Sequence, residues 1–203
     1  KGYTDIIRQG MVGPVNEQQA QFLNTIRVNV ERMAVLVSDL SDISRIETGR
    51  LKLEMGSVNV KEFVQETLMG VQGPLDSKQQ KVQLDIPTHL PNVHADKARL
   101  IQILTNLISN AHKYSPAETT ITLTVEMISI RFPPKAGGIG QLPIPASDKL
   151  FVKLSVADTG FGISEADQAK LFSQFFRSDD PAVRQENGWG LGLNITKRLV
   201  ELM

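Results

Sequence analysis

The chain has 203 residues, 41% of them hydrophobic, which is enough for one or two domains with a sizeable core. Its 22 lysines and arginines balance 22 aspartates and glutamates, so it lacks the basic footprint of a nucleic-acid-binding protein, and no nucleic-acid partner is expected. Without cysteine it can form neither a disulfide nor a thiolate metal site. No apolar run approaches the roughly 20 residues that span a bilayer, so we expect no membrane contact by this chain.

Both ends of the chain fall within helical patterns, KGYTDII at the start and KRLVELM at the end. We therefore interpret the chain as an internal fragment of a longer protein. The fragment is expected to be cytoplasmic, and the sequence leaves open whether the longer protein is anchored in a membrane.

The first part of the chain predicts a helical hairpin. Residues 1–8 resemble the end of one helix, which GMVGP closes, and Asn16 begins a second, with Gln19 suited to a capping arrangement and Gly49 placed to end it. A heptad seam runs along this second helix, formed by Leu23, Ile26, Val30, Met33, Val37 and Leu40. One hairpin cannot enclose that seam alone, which predicts a homodimer built as a four-helix bundle. Packing of the helix within its own domain is the alternative.

After Arg50 the pattern changes to mixed helices and strands. Helices are predicted over residues 62–75, 96–111, 165–172 and from Leu191 onward, and a strand over 82–86. Residues 120–130 and 150–158 alternate and should pair as strands, joined by a long loop over 131–148 whose role the sequence does not explain. The predicted class is α+β. A hairpin over residues 1–56, half of a dimeric four-helix bundle, precedes a two-layer α/β sandwich with a mixed sheet over 57–203.

The helix over residues 96–111 carries an unusual polar face. Asn106 and Asn110 lie i, i+4 on one side of a helix that is otherwise suited to burial, and Lys113 continues that side. Such a face requires a polar partner or a ligand.

Two glycine-rich stretches follow. VADTGFGIS places Asp158, Gly160 and Gly162 at the end of a strand, where glycine permits a positive φ and close approach to a ligand. GWGLGL carries a second cluster, formed by Gly188, Gly190 and Gly192. This cluster enters a helix, whose first backbone amides form an anion site. Each stretch alone is also compatible with a structural turn, and neither has the spacing of a P-loop or a dinucleotide-binding fingerprint.

Taken together and in this order, the stretches resemble the sensor histidine kinases of two-component signalling. NLISNAHKYSP is similar to the family's N box, DTGFGIS to its G1 box, LFSQFFRSD to its F box and GWGLGL to its G2 box. KGYTDII, GPVNEQQ and DLSDISRIETGRLKLE resemble the hairpin that dimerises and holds the phosphoacceptor. The resemblance implies the ATP-binding core of an enzyme that transfers the γ-phosphate of ATP to a histidine. A receiver domain of a response regulator would then take the phosphoryl group on an aspartate.

The resemblance also implies roles for residues on the polar helix. Asn110 would be a ligand of Mg²⁺, because its carbonyl is a hard oxygen donor, and Asn106 would lie beside the phosphates. Lys113 would add positive charge near the phosphates, and Tyr114 would pack against the nucleotide.

Roles for the other motifs follow in the same way. Asp158 would accept a hydrogen bond from the adenine amino group and so reject guanine. Arg177 would reach the phosphates at the start of a lid, residues 177–188, that closes over ATP. The implied nucleotide contacts are Asn106, Asn110, Lys113, Tyr114, Asp158, Gly160, Gly162, Ile163, Phe176, Arg177, Gly188, Gly190, Leu191, Gly192 and Leu193.

The chain departs from the family pattern in two places. Trp189 replaces a threonine in the G2 box, where its indole would pack on the lid or on the nucleotide. The block that resembles S-H-E-L-R-T-P-L, with the phosphorylated histidine, would end just before Lys1, so the acceptor is expected upstream. His89 and His94 lie in a connection and His112 fills a variable N-box position, so none of them is predicted to be the acceptor.

Two alternatives bear on the function. Related ATPases such as gyrase carry a water-activating glutamate at the position of Asn106, and an amide cannot act as a base, which favours phosphoryl transfer over hydrolysis. The second alternative is a dimerisation and signalling module with a decayed ATP site and no kinase activity.

Overall fold

The computed structural model describes residues 2–134 and 147–203, and the chain divides into two compact units, Lys1–Leu51 and Lys52–Met203. The domain boundary predicted between residues 56 and 57 falls inside a strand of the second unit, Met55–Val58. Among the described residues no helix combines the length and apolar character needed to cross a membrane.

The first unit is the predicted hairpin, with α1 over Gly2–Arg8 and α2 over Glu17–Glu47. Asn16 caps α2 as predicted, because its side chain accepts from the Gln19 backbone N–H at 2.8 Å and Gln19 Oε1 accepts from the Asn16 N–H at 2.9 Å. After Thr48, Gly49 adopts a φ of +64°, the left-handed conformation that ends many helices.

The described part of the second unit contains two sheets, three longer helices and two short ones. Its strands are β1 (Met55–Val58), β2 (Lys81–Asp85), β3 (Val93–Asp96), β4 (Thr120–Phe132) and β5 (Ser147–Ala157). Its helices are α3 (Val60–Ser77), α4 (Lys97–Tyr114), α5 (Glu165–Gln168), α6 (Pro181–Gln185) and α7 (Gly192–Leu202). β1 pairs antiparallel with β3. The other sheet is mixed, because β4 pairs in parallel with β2 and antiparallel with β5.

The core lies between the β4 sheet and the helices α3 and α4. It contains alternate residues of β4 and the apolar stripes of the two helices, among them Phe63, Val64, Leu104, Ile108, Ile121, Leu123 and Val125. Full burial of one such side chain contributes about 1.5–3 kcal/mol. α4 also contacts α7, so it connects the core to the last helix.

The β4–β5 hairpin is longer than predicted. β4 continues to Phe132 and β5 begins at Ser147, with the rings of Phe132 and Phe151 6.1 Å apart and Lys149 Nζ 5.3 Å from the Phe132 ring centroid. Two prolines follow Phe132, and since proline has no N–H to donate they end the strand. The rest of the predicted loop, residues 135–146, lies outside the described residues.

The helix predicted over residues 165–172 is wrong beyond Gln168. Later backbone hydrogen bonds join residues three apart, from Leu171 N to Gln168 O at 3.3 Å and from Ser173 N to Lys170 O at 2.8 Å. Phe172 is exposed, so burial does not sustain a longer helix.

Candidate functional site

Helix α4 supplies one wall of the candidate site. Its start is fixed by Asp96, whose Oδ1 accepts from the Arg99 backbone N–H at 3.1 Å and whose Oδ2 accepts from the Glu54 N–H at 2.9 Å. While the apolar stripe of α4 faces the core, Asn106 and Asn110 are half-buried. The polar face predicted from the sequence is therefore covered in part by other elements.

Asn106 meets the first turns of α7. Its Nδ2 donates to Thr196 Oγ1 at 2.8 Å, and Thr196 is buried. A Cβ at Gly192 would overlap the Asn106 side chain, so only glycine allows this approach. The N box and the G2 box are thus in direct contact.

The start of α7 is suited to an anion. Leu191 occupies the N-cap position and makes no side-chain capping hydrogen bond. The first backbone amides of a helix have no partner within the helix, and the helix dipole adds partial positive charge there. Phosphate groups are natural ligands for such a terminus.

The loop after β5 is tied to the end of α4. Phe161 N donates to Tyr114 O at 3.2 Å, and a Cβ at Gly160 would overlap that carbonyl. Gly160 N and Ser115 Oγ donate to Asp158 Oδ1 at 2.8 and 3.5 Å. Asp158 is exposed, and its Oδ2 has no hydrogen-bond partner among residues 2–134 and 147–203, so it can accept from a ligand.

The F box packs on the G2 box. Gly190 has a φ of +69°, and a Cβ there would overlap the backbone of Phe175 and Phe176. Asn194 Nδ2 donates to Phe172 O at 2.7 Å and Asn194 is buried, so α7 fixes this segment a second time.

Arg177 is held by backbone carbonyls of the segment that is predicted to form the lid. Its Nη2 donates to the carbonyls of Val183, Arg184 and Glu186 at 3.1, 3.5 and 2.6 Å. These carbonyls lie at the end of α6, so the guanidinium organises the lid from within. Its predicted contact with phosphates stays a prediction.

Lys78 binds the end of α4. Its Nζ donates to the carbonyls of His112 and Lys113 at 3.0 and 3.2 Å, and lies 3.7 Å from Glu186 Oε1 in the lid. A cation at the last carbonyls of a helix is favoured by the helix dipole.

Gln80 completes this end of α4. It is buried, and its Nε2 donates to the carbonyls of Ser115 and Pro116 at 3.2 and 2.8 Å. Its Oε1 lies 2.6 Å from His112 Nδ1, where a neutral imidazole can donate. Burial lowers the pKa of His112, the charge of Lys78 lowers it further and Glu186 opposes them, so the neutral form is favoured.

The pKa of Tyr114 responds to burial and to two charges of the predicted lid. Burial raises its pKa above the ordinary value, whereas the positive charge of Arg177 lowers it and the negative charge of Glu186 raises it. The charges of Arg177 and Glu186 therefore act on this phenol in opposite directions.

The structure brings the G1, F and G2 boxes together around α4, which carries the N box. The predicted contact residues differ in how closely other residues surround them. Ile163 and Trp189 are about half exposed, and a Cβ at Gly188 would meet no heavy atom within 4 Å. The sequence did not predict the roles of Lys78, Gln80, Asn194 and Thr196. A possible signal for the last two was their place as polar residues within the apolar pattern of α7.

A metal ion here would have few protein ligands. Among residues 2–134 and 147–203 no group of three or more histidine, aspartate or glutamate side chains could hold one. Mg²⁺ usually keeps several waters and takes one or two protein oxygens together with substrate phosphates. The half-buried amide of Asn110, one turn from Asn106, fits that donor set.

Comparison with known proteins gives matches along the chain. The family of histidine kinase-, DNA gyrase B- and HSP90-like ATPases matches residues 95–203, and the His Kinase A (phospho-acceptor) domain matches residues 1–49. The circadian input-output histidine kinase CikA of Synechococcus elongatus is 32% identical over 203 residues, which are 99% of this chain and 24% of that protein. The chain spans about a fifth to a quarter of the length of the curated relatives it matches.

Two solved structures share the fold. Full-length ShkA in complex with AMPPNP has a TM-score of 0.71 and 25% identity, over 100% of this chain and 38% of that chain. The histidine kinase ThkA in complex with the response regulator protein TrrA has a TM-score of 0.55 and 20% identity, over 86% of this chain and 47% of that chain.

Proposed function

Because this chain belongs to the histidine kinase-, DNA gyrase B- and HSP90-like ATPase family, as the catalytic core of a sensor histidine kinase, we propose that it binds ATP with Mg²⁺ and transfers the γ-phosphate to a histidine. The observation that carries the proposal is the meeting of Asn106, Thr196 and Gly192. It joins the half-buried polar face of α4 to the uncapped start of α7.

We propose that the triphosphate lies between α4 and the start of α7. The backbone amides there, with Lys113, hold the phosphates, and Asn110 supplies the protein oxygen for Mg²⁺. Mg²⁺, when bound, supplies positive charge that offsets the charge of the phosphates. The other proposed nucleotide contacts are those that the resemblance implies: Asn106, Tyr114, Asp158, Gly160, Gly162, Ile163, Phe176, Arg177, Gly188, Gly190, Leu191, Gly192 and Leu193.

Asp158 is proposed to select adenine. Its Oδ1 is occupied by Gly160 N and Ser115 Oγ, which fixes the carboxylate and leaves Oδ2 for the exocyclic amino group. Guanine would present a carbonyl to the same oxygen, and two acceptors repel.

The amide side chain of Asn106 favours phosphoryl transfer over ATP hydrolysis. Its amide donates to Thr196, and an amide has no basicity with which to activate water. Positioning and charge stabilisation by α4 and α7 then suffice for an in-line attack by a histidine nitrogen.

The acceptor histidine is proposed to lie upstream of Lys1. Residues 1–49 match the phosphoacceptor domain but contain no histidine, since the three in the chain are His89, His94 and His112. His112 is bound to Gln80 and is half-buried, which supports a structural role.

Two partners are proposed. The His Kinase A match and the exposed apolar seam of α2 support a homodimer through the hairpin. A receiver domain of a response regulator is proposed as the final phosphoryl acceptor, since ThkA, of the same fold, was crystallised with a response regulator protein. Use of ATP supports a cytoplasmic location.

Calorimetric titration with AMPPNP, with Mg²⁺ and with chelator, tests the proposal. Asp158→Ala should weaken binding about 10- to 150-fold under both conditions, as expected for a lost hydrogen bond to a charged group. Asn110→Ala should remove only the gain in affinity that Mg²⁺ provides. Asp85→Ala and Asn92→Ala, at exposed positions outside the site, are the matched controls. A wild-type chain that shows no Mg²⁺-dependent binding would instead be a signalling module with a decayed site.

A further inference from the structure

A charged contact joins the lid to the rest of the second unit. Lys78 Nζ lies 3.7 Å from Glu186 Oε1, and each side chain is about one third exposed. Lys78 is the C-cap residue of α3, whereas Glu186 is the C-cap residue of α6 within the lid. The pair therefore connects two elements that are far apart in sequence.

The ammonium of Lys78 is fixed by more than this ion pair. It also donates to the carbonyls of His112 and Lys113 at 3.0 and 3.2 Å. Both carbonyls belong to the last turn of α4, and the negative end of the helix dipole favours a cation there. The position of Lys78 is thus set by the helix that carries Asn106 and Asn110.

Glu186 is joined in turn to Arg177. Its backbone carbonyl accepts from Arg177 Nη2 at 2.6 Å, while its carboxylate faces Lys78. The charges of Arg177 and Glu186 have opposite effects on the pKa of Tyr114, the last residue of α4. Arg177 is thus joined to Glu186, and Glu186 is joined through Lys78 to the end of α4.

We propose that Lys78 and Glu186 form a latch that holds the lid beside the end of α4 before nucleotide binds, which makes Lys78 a positioning residue for ATP. The inference rests on the proposed function only in its choice of ATP as the ligand. A lid that is already ordered loses less conformational entropy when the nucleotide arrives, so the latch raises affinity. Partly exposed ion pairs contribute modestly, which sets the expected gain at about two- to fivefold.

Two measurements on Lys78→Met, Glu186→Gln and the double variant test the latch. Hydrogen exchange without nucleotide should show faster amide exchange over residues 181–188 in each variant and unchanged exchange in α3. AMPPNP affinity should fall about two- to fivefold in Glu186→Gln, which keeps the backbone carbonyl bound by Arg177. In the double variant the affinity should match that of Lys78→Met, because the pair is already broken.

Control variants separate the latch from a general effect of charge. Lys81→Met removes an exposed lysine three positions away and should change neither measurement. Lys78→Arg should retain the lid exchange rate and the AMPPNP affinity of the wild-type chain. Unchanged lid exchange in Glu186→Gln, tighter AMPPNP binding, or additive losses in the double variant would each overturn the latch. If the wild-type chain binds no AMPPNP, the proposed function fails, while lid exchange without nucleotide still decides whether the latch exists.

Discussion

Gly192 shows how one missing methyl group lets α7 approach α4. A Cβ at this position would overlap the Asn106 side chain, which donates to Thr196. Where space allows, replacing glycine with alanine inside a helix stabilises the helix by about 0.5–1 kcal/mol. We predict that Gly192→Ala weakens AMPPNP binding about 5- to 150-fold, since a lost buried hydrogen bond costs ~1–3 kcal/mol. Isothermal calorimetry measures the change.

Gly70→Ala, at an exposed position of α3 outside the site, is the matched control. A Cβ at Gly70 would meet no heavy atom within 4 Å, so the AMPPNP affinity should stay within about twofold of the wild-type value. Equal losses in the two variants would show that the loss does not arise from contact with Asn106.

The raised pKa of Tyr114 predicts a property that can be measured at one residue. A phenol ionises near pH 10 in an unfolded chain. Burial raises this pKa in the folded chain, so the neutral phenol stabilises the fold below about pH 10 and that contribution is lost as pH rises further. The chain has two tyrosines, so Tyr3→Phe leaves only the Tyr114 phenol to titrate.

Phenolate absorbance of the Tyr3→Phe variant should therefore appear above pH 10 while circular dichroism still reports a folded chain. In denaturant the same titration should return to about pH 10. A folded-state midpoint at or below the denatured one would contradict the buried position of the ring. Saturating AMPPNP should raise the midpoint further if Tyr114 packs on the nucleotide.

At the scale of elements, α2 presents an apolar seam from Leu23 to Leu40, over a length of about 26 Å. Five of the six seam side chains are 44–66% exposed: Ile26, Val30, Met33, Val37 and Leu40. We predict that Val30→Lys with Val37→Lys gives a monomer in light scattering, because a second copy can no longer cover the seam. AMPPNP affinity should be unchanged, since all predicted nucleotide contacts lie in the second unit.

Val35 provides the matched control for that experiment. It is 57% exposed, against 66% for Val37, and lies about 200° around the helix from it. Val35→Lys should leave the dimer intact, while Val37→Lys alone weakens it. A monomer from both substitutions would mean that added charge and not the seam dissociates the dimer.

Helix α2 could be predicted from sequence because its signals are local. Asn16, Gln19 and Gly49 mark its ends, and each lies within a few residues of the group it satisfies. The strands β1 and β3 could not, because each has only four residues and is defined by its partner across the chain. α5 stops early for the same reason, since the exposure of Phe172 depends on tertiary packing.

The candidate site could likewise be predicted from the sequence only in part. The resemblance named the residues of four motifs, and the structure places the G1, F and G2 boxes around α4, which carries the N box. The predicted individual roles remain predictions. Lys78 and Gln80 were not foreseen, because their partners are backbone carbonyls at the end of α4 and no side-chain pattern records them.

For the whole molecule, the positions of the histidines predict how the kinase behaves. His89, His94 and His112 all lie in the second unit, and none matches the block that holds the acceptor. The 203-residue chain should therefore bind AMPPNP yet incorporate no acid-labile phosphate from labelled ATP. Extending it upstream through the phosphoacceptor block should restore labelling.

A triple variant tests whether one of these three histidines is an acceptor. If acid-labile label appears on the chain, replacing His89, His94 and His112 with glutamine would remove it, and one of the three would be an acceptor. Label that survives the replacement would lie on another residue type.

Helix α7 follows every other described element, yet it completes a site that α4 begins, and Asn106 and Thr196 are 90 residues apart. At about 5–20 residues per second, a ribosome needs roughly 5–20 s to add that length. During this interval α3, α4 and β4 can form their core, but the surface that receives Ile195 and Leu199 stays uncovered. The proposed nucleotide site consequently forms only after α7 has been synthesised, and ATP cannot stabilise any folding intermediate in which α7 has not docked.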